Sequence, residues 1–74
     1  MSLAHAPSET LLRVTGVRPG GSLSLRLMEM GLIEGARIQV VGRAPLGDPL
    51  HVRLGDYELS IRSSEAELVD VTSL

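Results

Sequence analysis

Apolar and polar residues alternate with a period of two over much of the second half of the chain. The alternation runs from Arg37 to Ile61 and is interrupted by PLGD at 45–48 and by GD at 55–56. A period of two is typical of strands with one buried face, and short turns that contain glycine typically join antiparallel neighbours. The pattern therefore predicts three antiparallel strands in a meander, with Gly47 in the first of the two turns.

The beginning of the chain predicts one strand, preceded by a loose segment. Residues 1–9 show no period, so we expect a flexible N-terminal arm and a single domain over residues 10–74. TLLRVTGV at 10–17 predicts the first strand, and RPGG at 18–21 predicts a turn.

A short helix is predicted over Ser22–Met30. Leu23, Leu27 and Met30 recur at helical spacing, which indicates one apolar stripe. Ser22 is a favourable residue for the N-cap position, because its hydroxyl accepts a hydrogen bond from a free backbone N–H.

Two glycines are expected to end the helix and turn the chain. Gly31 follows the helix, where a positive φ costs glycine little, and this ending predicts a contact between Leu27 and Leu32. IEGA at 33–36 predicts a type II turn with Gly35 at the third position.

The C-terminal part predicts a helical turn and a last strand. Ser64 and Glu67 have the spacing of a capping box, and Leu68, Val69 and Val71 suit a strand. We therefore expect a mostly β fold, a small five-stranded barrel that is partly closed, since closure protects strand edges. The residues expected in its core are Leu12, Val14, Leu27, Ile38, Val40, Leu50, Val52, Leu59, Ile61 and Val69.

Charge and composition exclude several classes of partner. The 74 residues include seven basic residues, all arginine and scattered, against nine acidic ones, and the net charge is −2. Tyr57 is the only aromatic residue, so neither nucleic acid nor an anionic membrane surface is an expected partner. No apolar run approaches the length of a membrane span and no signal peptide is visible, so we expect a cytoplasmic protein without membrane insertion.

Catalytic residues are not expected. The only imidazoles are His5 and His51, and no nucleophile motif or serine–base pair is apparent in the sequence. We therefore predict a protein that is not an enzyme.

Metal binding has two weak candidate ligands. Asp48 and His51 flank the first hairpin, three residues apart, and a carboxylate with an imidazole suits a divalent transition metal. The alternative is that His51 is an ordinary solvated histidine on the polar face of a strand. We expect no cofactor beyond a weakly bound metal ion.

Five short motifs in order make the chain resemble the FeoA family over about residues 10–71. They are RLMEMGL at 26–32, Gly35, APLGDP at 44–49, YELSIR at 57–62 and EA at 65–66. One departure is Glu34, where many relatives have proline, and glutamate fits this turn position.

The resemblance implies an SH3-like β-barrel with one short helix after the first strand. It also implies a cytosolic accessory protein of bacterial ferrous iron uptake whose partner is the cytosolic part of the membrane transporter FeoB. Similar domains form the C-terminal part of iron- or manganese-responsive repressors, so a transition-metal-binding sensor or chaperone is the alternative. We rank the accessory protein first because the chain has no DNA-binding or dimerisation segment, and we expect a monomer or weak homo-oligomer.

Leu46 is a candidate contact for such a partner. It lies between Pro45 and Gly47, so it is expected at the tip of a turn, in water. Because Tyr57 is the only aromatic residue, binding would use aliphatic, methionine and arginine side chains, and we predict a patch of Leu46, Met28 and Arg43. The alternative is that Leu46 folds back on its own hairpin.

Overall fold

Five strands form one antiparallel sheet in the computed structural model, which describes residues 1–74. The strands are β1 (Leu11–Val17), β2 (Arg37–Arg43), β3 (Leu50–Leu54), β4 (Tyr57–Ile61) and β5 (Val69–Ser73). The helices are α1 (Ser22–Glu29) and α2 (Ser63–Ala66), and a single 3-10 turn covers Leu3–His5. This architecture confirms the predicted fold class.

The strand order is β4-β3-β2-β1-β5, so the predicted meander of β2, β3 and β4 is confirmed. Val40 lies opposite Val52, and Val52 lies opposite Leu59, which keeps the apolar positions of the three strands on one face. β4 and β5 form the two edges, and α2 connects them. The sheet therefore curls around the core as a barrel that is open between its edge strands.

The core follows the predicted apolar face closely. Of the ten residues expected there, all are buried except Leu59, which is only partly buried. The buried set also contains residues that were not predicted: Leu3, Ala6, Leu32, Leu54, Ala66 and Val71.

α1 begins and ends close to its predicted bounds. Its N-cap is Gly21 with φ 63°, not Ser22, so the prediction for the cap residue is wrong. Glycine adopts this conformation without a Cβ clash. The turn before the helix is held instead by Ser24, whose hydroxyl donates to the carbonyl of Arg18 at 2.6 Å.

The predicted ending of α1 is confirmed. Gly31 has φ 105°, the Leu32 N–H donates to the Leu27 carbonyl at 3.2 Å, and the Gly31 N–H donates to the Met28 carbonyl at 3.0 Å. These two bonds define a Schellman motif. Leu27 and Leu32 are both fully buried in the core cluster.

Residues 1–6 pack against the barrel, whereas the side chains of residues 7–9 are exposed, and this corrects the expectation of a loose arm over residues 1–9. Leu3 is completely buried, and the Val71 N–H donates to the Met1 carbonyl at 2.8 Å, so this segment extends the edge at β5. The side chain of Arg43 donates to the carbonyls of Ala4 and Ala6, each at 3.2 Å. A segment with one buried leucine and no period gives no periodic signal in the sequence.

The cap of α2 differs from the predicted capping box. The helix starts at Ser63 rather than after Ser64, and the Arg62 N–H donates to Glu65 Oε1 at 2.9 Å. Asp48 Oδ1 accepts a hydrogen bond from the Ser63 N–H at 2.8 Å. The start of α2 is therefore capped by two carboxylates, Glu65 of its own first turn and Asp48 of another loop, and local sequence spacing does not reveal the second.

Candidate partner-binding surfaces

Leu46 lies at the tip of the hairpin between β2 and β3. The Gly47 N–H donates to the Ala44 carbonyl at 2.7 Å, and Gly47 has φ 88°. Leu46 is 97% exposed, so its predicted position at a turn in water is confirmed, and it does not fold back on its hairpin. A leucine in this position offers its whole side chain to another molecule.

Met28 lies on α1, whereas Leu46 and Arg43 belong to the hairpin of β2 and β3. The side chain of Arg43 lies against the N-terminal segment, where its guanidinium donates hydrogen bonds to the carbonyls of Ala4 and Ala6. Met28 is 40% exposed on α1, and the C-terminal end of α1 is fixed by Tyr57 Oη, which donates to the Met30 carbonyl at 2.6 Å. Tyr57 begins β4, at the end of the sheet opposite the Leu46 hairpin.

A second exposed apolar surface lies on α1. Leu25 is 60% exposed and stands three residues before Met28, so the two side chains are neighbours on one helix face. Sequence analysis overlooked Leu25. Leu25 could have been found because it is apolar and lies three residues before Met28, on a different side of the helix from the buried Leu27.

Asp48 and His51 have separate hydrogen-bond partners. Asp48 accepts from Ser63, and its Oδ2 lies 3.4 Å from Arg62 Nη1. The hydrogen bond from the Ser63 N–H is the main cause that lowers the pKa of Asp48. His51 Nδ1 is 3.0 Å from Ser60 Oγ. The chain contains no group of three or more His, Cys, Asp or Glu side chains placed to hold a metal ion.

Two serine–histidine pairs are present, contrary to the expectation from sequence. His51 lies opposite Ser60 on the neighbouring strand, and His5 Nδ1 is 3.1 Å from Ser2 Oγ. The register of β3 and β4 brings His51 and Ser60 together, so no local sequence motif indicates this pair. Both pairs are exposed, and neither imidazole hydrogen-bonds an acidic side chain that would orient it as a base.

A shallow groove of about 330 Å³ lies between the end of α1 and the turn from β3 to β4. Its residues are Gly31, Ala36, Arg37, Leu54, Gly55, Asp56 and Tyr57. Leu54 and Tyr57 make much of its wall apolar, and Arg37 and Asp56 give it one charge of each sign. None of the helices is long and apolar enough to cross a membrane.

These features define a small β-barrel module that exposes apolar side chains on a hairpin tip and on a helix face. The sequence model of the FeoA domain matches residues 1–73, and the chain belongs to the FeoA family. The prediction made from the short motifs is thereby confirmed.

One curated relative is the Fe(2+) transport protein A/Fe(2+) transporter FeoB fusion protein of Porphyromonas gingivalis, 39% identical over 61 residues. The match covers 82% of this chain but only 7% of the fusion protein. A domain like this one therefore occurs in the same polypeptide as FeoB.

Solved FeoA structures share the fold. Iron(II) transport protein A of Clostridium thermocellum is 31% identical with a TM-score of 0.93, over 100% of this chain and 46% of that one. FeoA of Stenotrophomonas maltophilia, solved with zinc and described as an SH3 domain protein, is 32% identical with a TM-score of 0.86, over 97% and 89%. The expected SH3-like barrel is confirmed. The manganese regulator SloR, 11% identical with a TM-score of 0.85 over 100% of this chain and 34% of its own, shares the fold alone.

Proposed function

We propose that this chain is a non-catalytic cytosolic accessory domain of ferrous iron uptake that binds the cytosolic part of FeoB and regulates the transporter. The observation that carries the proposal is the fusion of a domain 39% identical to this one with FeoB in a single chain. Fusion holds two modules at high effective concentration, so it favours pairs of domains that act together.

Leu46 is the contact that we assign to this interaction first. Burying a leucine side chain at an interface contributes roughly 1.5–3 kcal/mol, which is about one to two powers of ten in affinity. Its exposure of 97% leaves that contribution available to a partner. An aspartate at the same turn position would remove the apolar contact and bury an unpaired charge.

The test is association with purified FeoB, and ferrous iron uptake in cells, for Leu46→Asp. We expect association to weaken by about ten- to a hundredfold and uptake to fall, with the melting temperature of the variant unchanged. Leu74→Asp is the matched control, because Leu74 is also an exposed leucine and lies outside the hairpin. Normal association and uptake with a stably folded Leu46→Asp would contradict this assignment.

Met28 and Leu25 are a second candidate contact for the same partner. Met28→Asp in the same assay separates the helix face from the hairpin tip, because the two surfaces lie on different elements. Arg43 is expected to act on the partner only through the N-terminal segment that it holds. Arg43→Gln therefore affects association less than Leu46→Asp does.

The alternative function, a transition-metal sensor or chaperone, is favoured by the zinc complex of the Stenotrophomonas maltophilia FeoA. Calorimetric titration of this chain with Fe²⁺ and Zn²⁺ tests it. A saturable site tighter than about 1 mM that is lost in His51→Ala would support the alternative. Titrations without saturation would exclude it.

A further inference from the structure

We propose that Arg13 and Arg37 together bind a carboxylate-bearing segment of a partner protein. The two arginines lie directly opposite each other on β1 and β2. Both face solvent, because their neighbours Leu12, Val14 and Ile38 face the core. Side chains at opposite positions of an antiparallel pair have their Cβ atoms about 4.5–5.5 Å apart, so both guanidinium groups can reach one ligand.

The pair is the exception among the arginines of this chain. Arg43 bonds two backbone carbonyls, and neither Arg13 nor Arg37 has a carboxylate oxygen within 4.0 Å. The ion pairs of the other arginines are Arg18–Asp70, Arg26–Glu65, Arg53–Glu58 and Arg62–Asp48. Like charges directly opposite each other on a sheet are destabilising, so this arrangement costs the free protein stability.

The surrounding sheet positions do not neutralise the two charges. Their neighbours across the strands and along the same face are all uncharged, and they are Leu11, Thr15, Gly35, Gln39, Gly55 and Thr72. The chain as a whole carries a net charge of −2. The two arginines therefore form a local positive feature on an acidic protein, with Asp56 as the acidic residue in the groove beside Arg37.

A carboxylate suits this site because each guanidinium presents a planar fork of donors that matches its two oxygens. Nucleic acid is the less suitable partner, since binding it takes a wide basic surface and stacking aromatic residues. Tyr57 is the one aromatic residue beside the pair, so two arginines suit a short acidic protein segment better than a nucleic acid.

The neighbouring groove indicates what accompanies the carboxylate. Arg37 lines the groove of about 330 Å³ together with Leu54 and Tyr57, which offer room for one apolar side chain. Asp56 lines the same groove and would repel a second acidic residue there. The occupant that fits is a short segment with an acidic residue over the arginine pair and an apolar residue beside it.

The test uses the whole chain and two capped hexapeptides, so it does not rest on the proposed function. One peptide contains four glutamates and two leucines, and the other contains glutamine in place of each glutamate. The peptides are titrated at about 20 mM salt, where charges are weakly screened, and NMR follows the side-chain Nε–H signals of the arginines. We expect saturable shifts at Arg13 and Arg37 with the acidic peptide alone, and none at Arg18, which is paired with Asp70.

Arg13→Gln and Arg37→Gln are each expected to weaken binding of the acidic peptide by about tenfold or more, and Arg18→Gln is the matched control without this loss. Because the substitutions relieve repulsion, the melting temperature should stay the same or rise. Equal binding of the glutamine peptide, unchanged affinity in both variants, or a fall in melting temperature in both would overturn the proposal.

Discussion

At the scale of single residues, backbone conformations that favour glycine decide where the chain turns. Gly31, Gly35 and Gly47 have φ of 105°, 91° and 88°; Gly31 follows the predicted helix, and the other two lie within predicted turns. Gly31 differs from Gly47 in its surroundings. A Cβ at Gly31 would lie 3.0 Å from Leu54 Cδ2 and 3.1 Å from Tyr57 Oη, whereas at Gly47 it would meet nothing within 4 Å.

Gly31→Ala is therefore expected to destabilise the protein more than Gly47→Ala. Both substitutions force a Cβ into a conformation that disfavours it, at a cost of roughly 1 kcal/mol or more. Gly31→Ala also crowds Leu54 and Tyr57. Urea denaturation of the two variants measures the difference in the free energy of unfolding. Equal losses would show that the groove wall yields to the added methyl group without cost.

Asp48 gives the fold a dependence on acid pH. The hydrogen bond from the Ser63 N–H lowers the pKa of its carboxyl below the ordinary value of 3.8, and Ser63 Oγ and Arg62 act in the same direction, while desolvation opposes them. Since the folded pKa is depressed, the stabilisation is complete above the unfolded value and is lost as the pH falls through the folded value.

Asp48→Asn tests this charge while keeping an oxygen that accepts from Ser63. We expect the melting temperature of the wild type to fall more steeply than that of the variant as the pH drops from about 4 to about 2. Parallel melting curves over this range would show that the charge of Asp48 contributes nothing to the stability of the fold.

At the scale of elements, the sequence predicts those strands and helices whose burial follows a regular period along the chain. The alternation around Val40 and Val52 and the helical spacing of Leu27 identify β2, β3 and α1, because each of these elements buries one periodic face. The N-terminal segment and the cap of α2 were missed. Leu3 is held by contacts distant in sequence, and Asp48 caps a helix that begins fifteen residues later.

The N-terminal segment is expected to contribute to stability as a core element. Leu3 is completely buried, and truncating a buried leucine to alanine costs about 2–5 kcal/mol. Leu46→Ala is the matched control, because Leu46 is 97% exposed and its truncation should change the free energy of unfolding by less than about 0.5 kcal/mol. Equal stability of Leu3→Ala and Leu46→Ala would instead support the flexible N-terminal arm that the sequence predicted.

At the scale of the whole molecule, the sequence predicts the barrel and its family but only one part of the candidate sites. Leu46 was recognisable because proline and glycine flank it. The arginine pair was not, since Arg13 and Arg37 are 24 positions apart and meet only through the register of β1 and β2. Arg37 and Arg43 are at opposite ends of β2, so the pair and the hairpin tip are separated by about 20 Å along the strand.

This separation predicts that the two surfaces respond differently to salt. The Debye length shrinks from about 10 Å at 0.1 M salt to about 3 Å at 1 M, so binding of the acidic hexapeptide to the arginine pair should weaken strongly over that range. Burial of Leu46 involves no charge and strengthens or stays constant in salts that are excluded from protein surfaces. Association with FeoB measured at both salt concentrations, for the wild type, Leu46→Asp and Arg37→Gln, separates the contributions. If the contribution of Leu46 is apolar, its loss costs the same or a larger factor in affinity at 1 M salt than at 0.1 M. Any factor lost in Arg37→Gln approaches one at 1 M salt. A loss in Leu46→Asp that disappears at high salt would contradict an apolar contact at the hairpin tip.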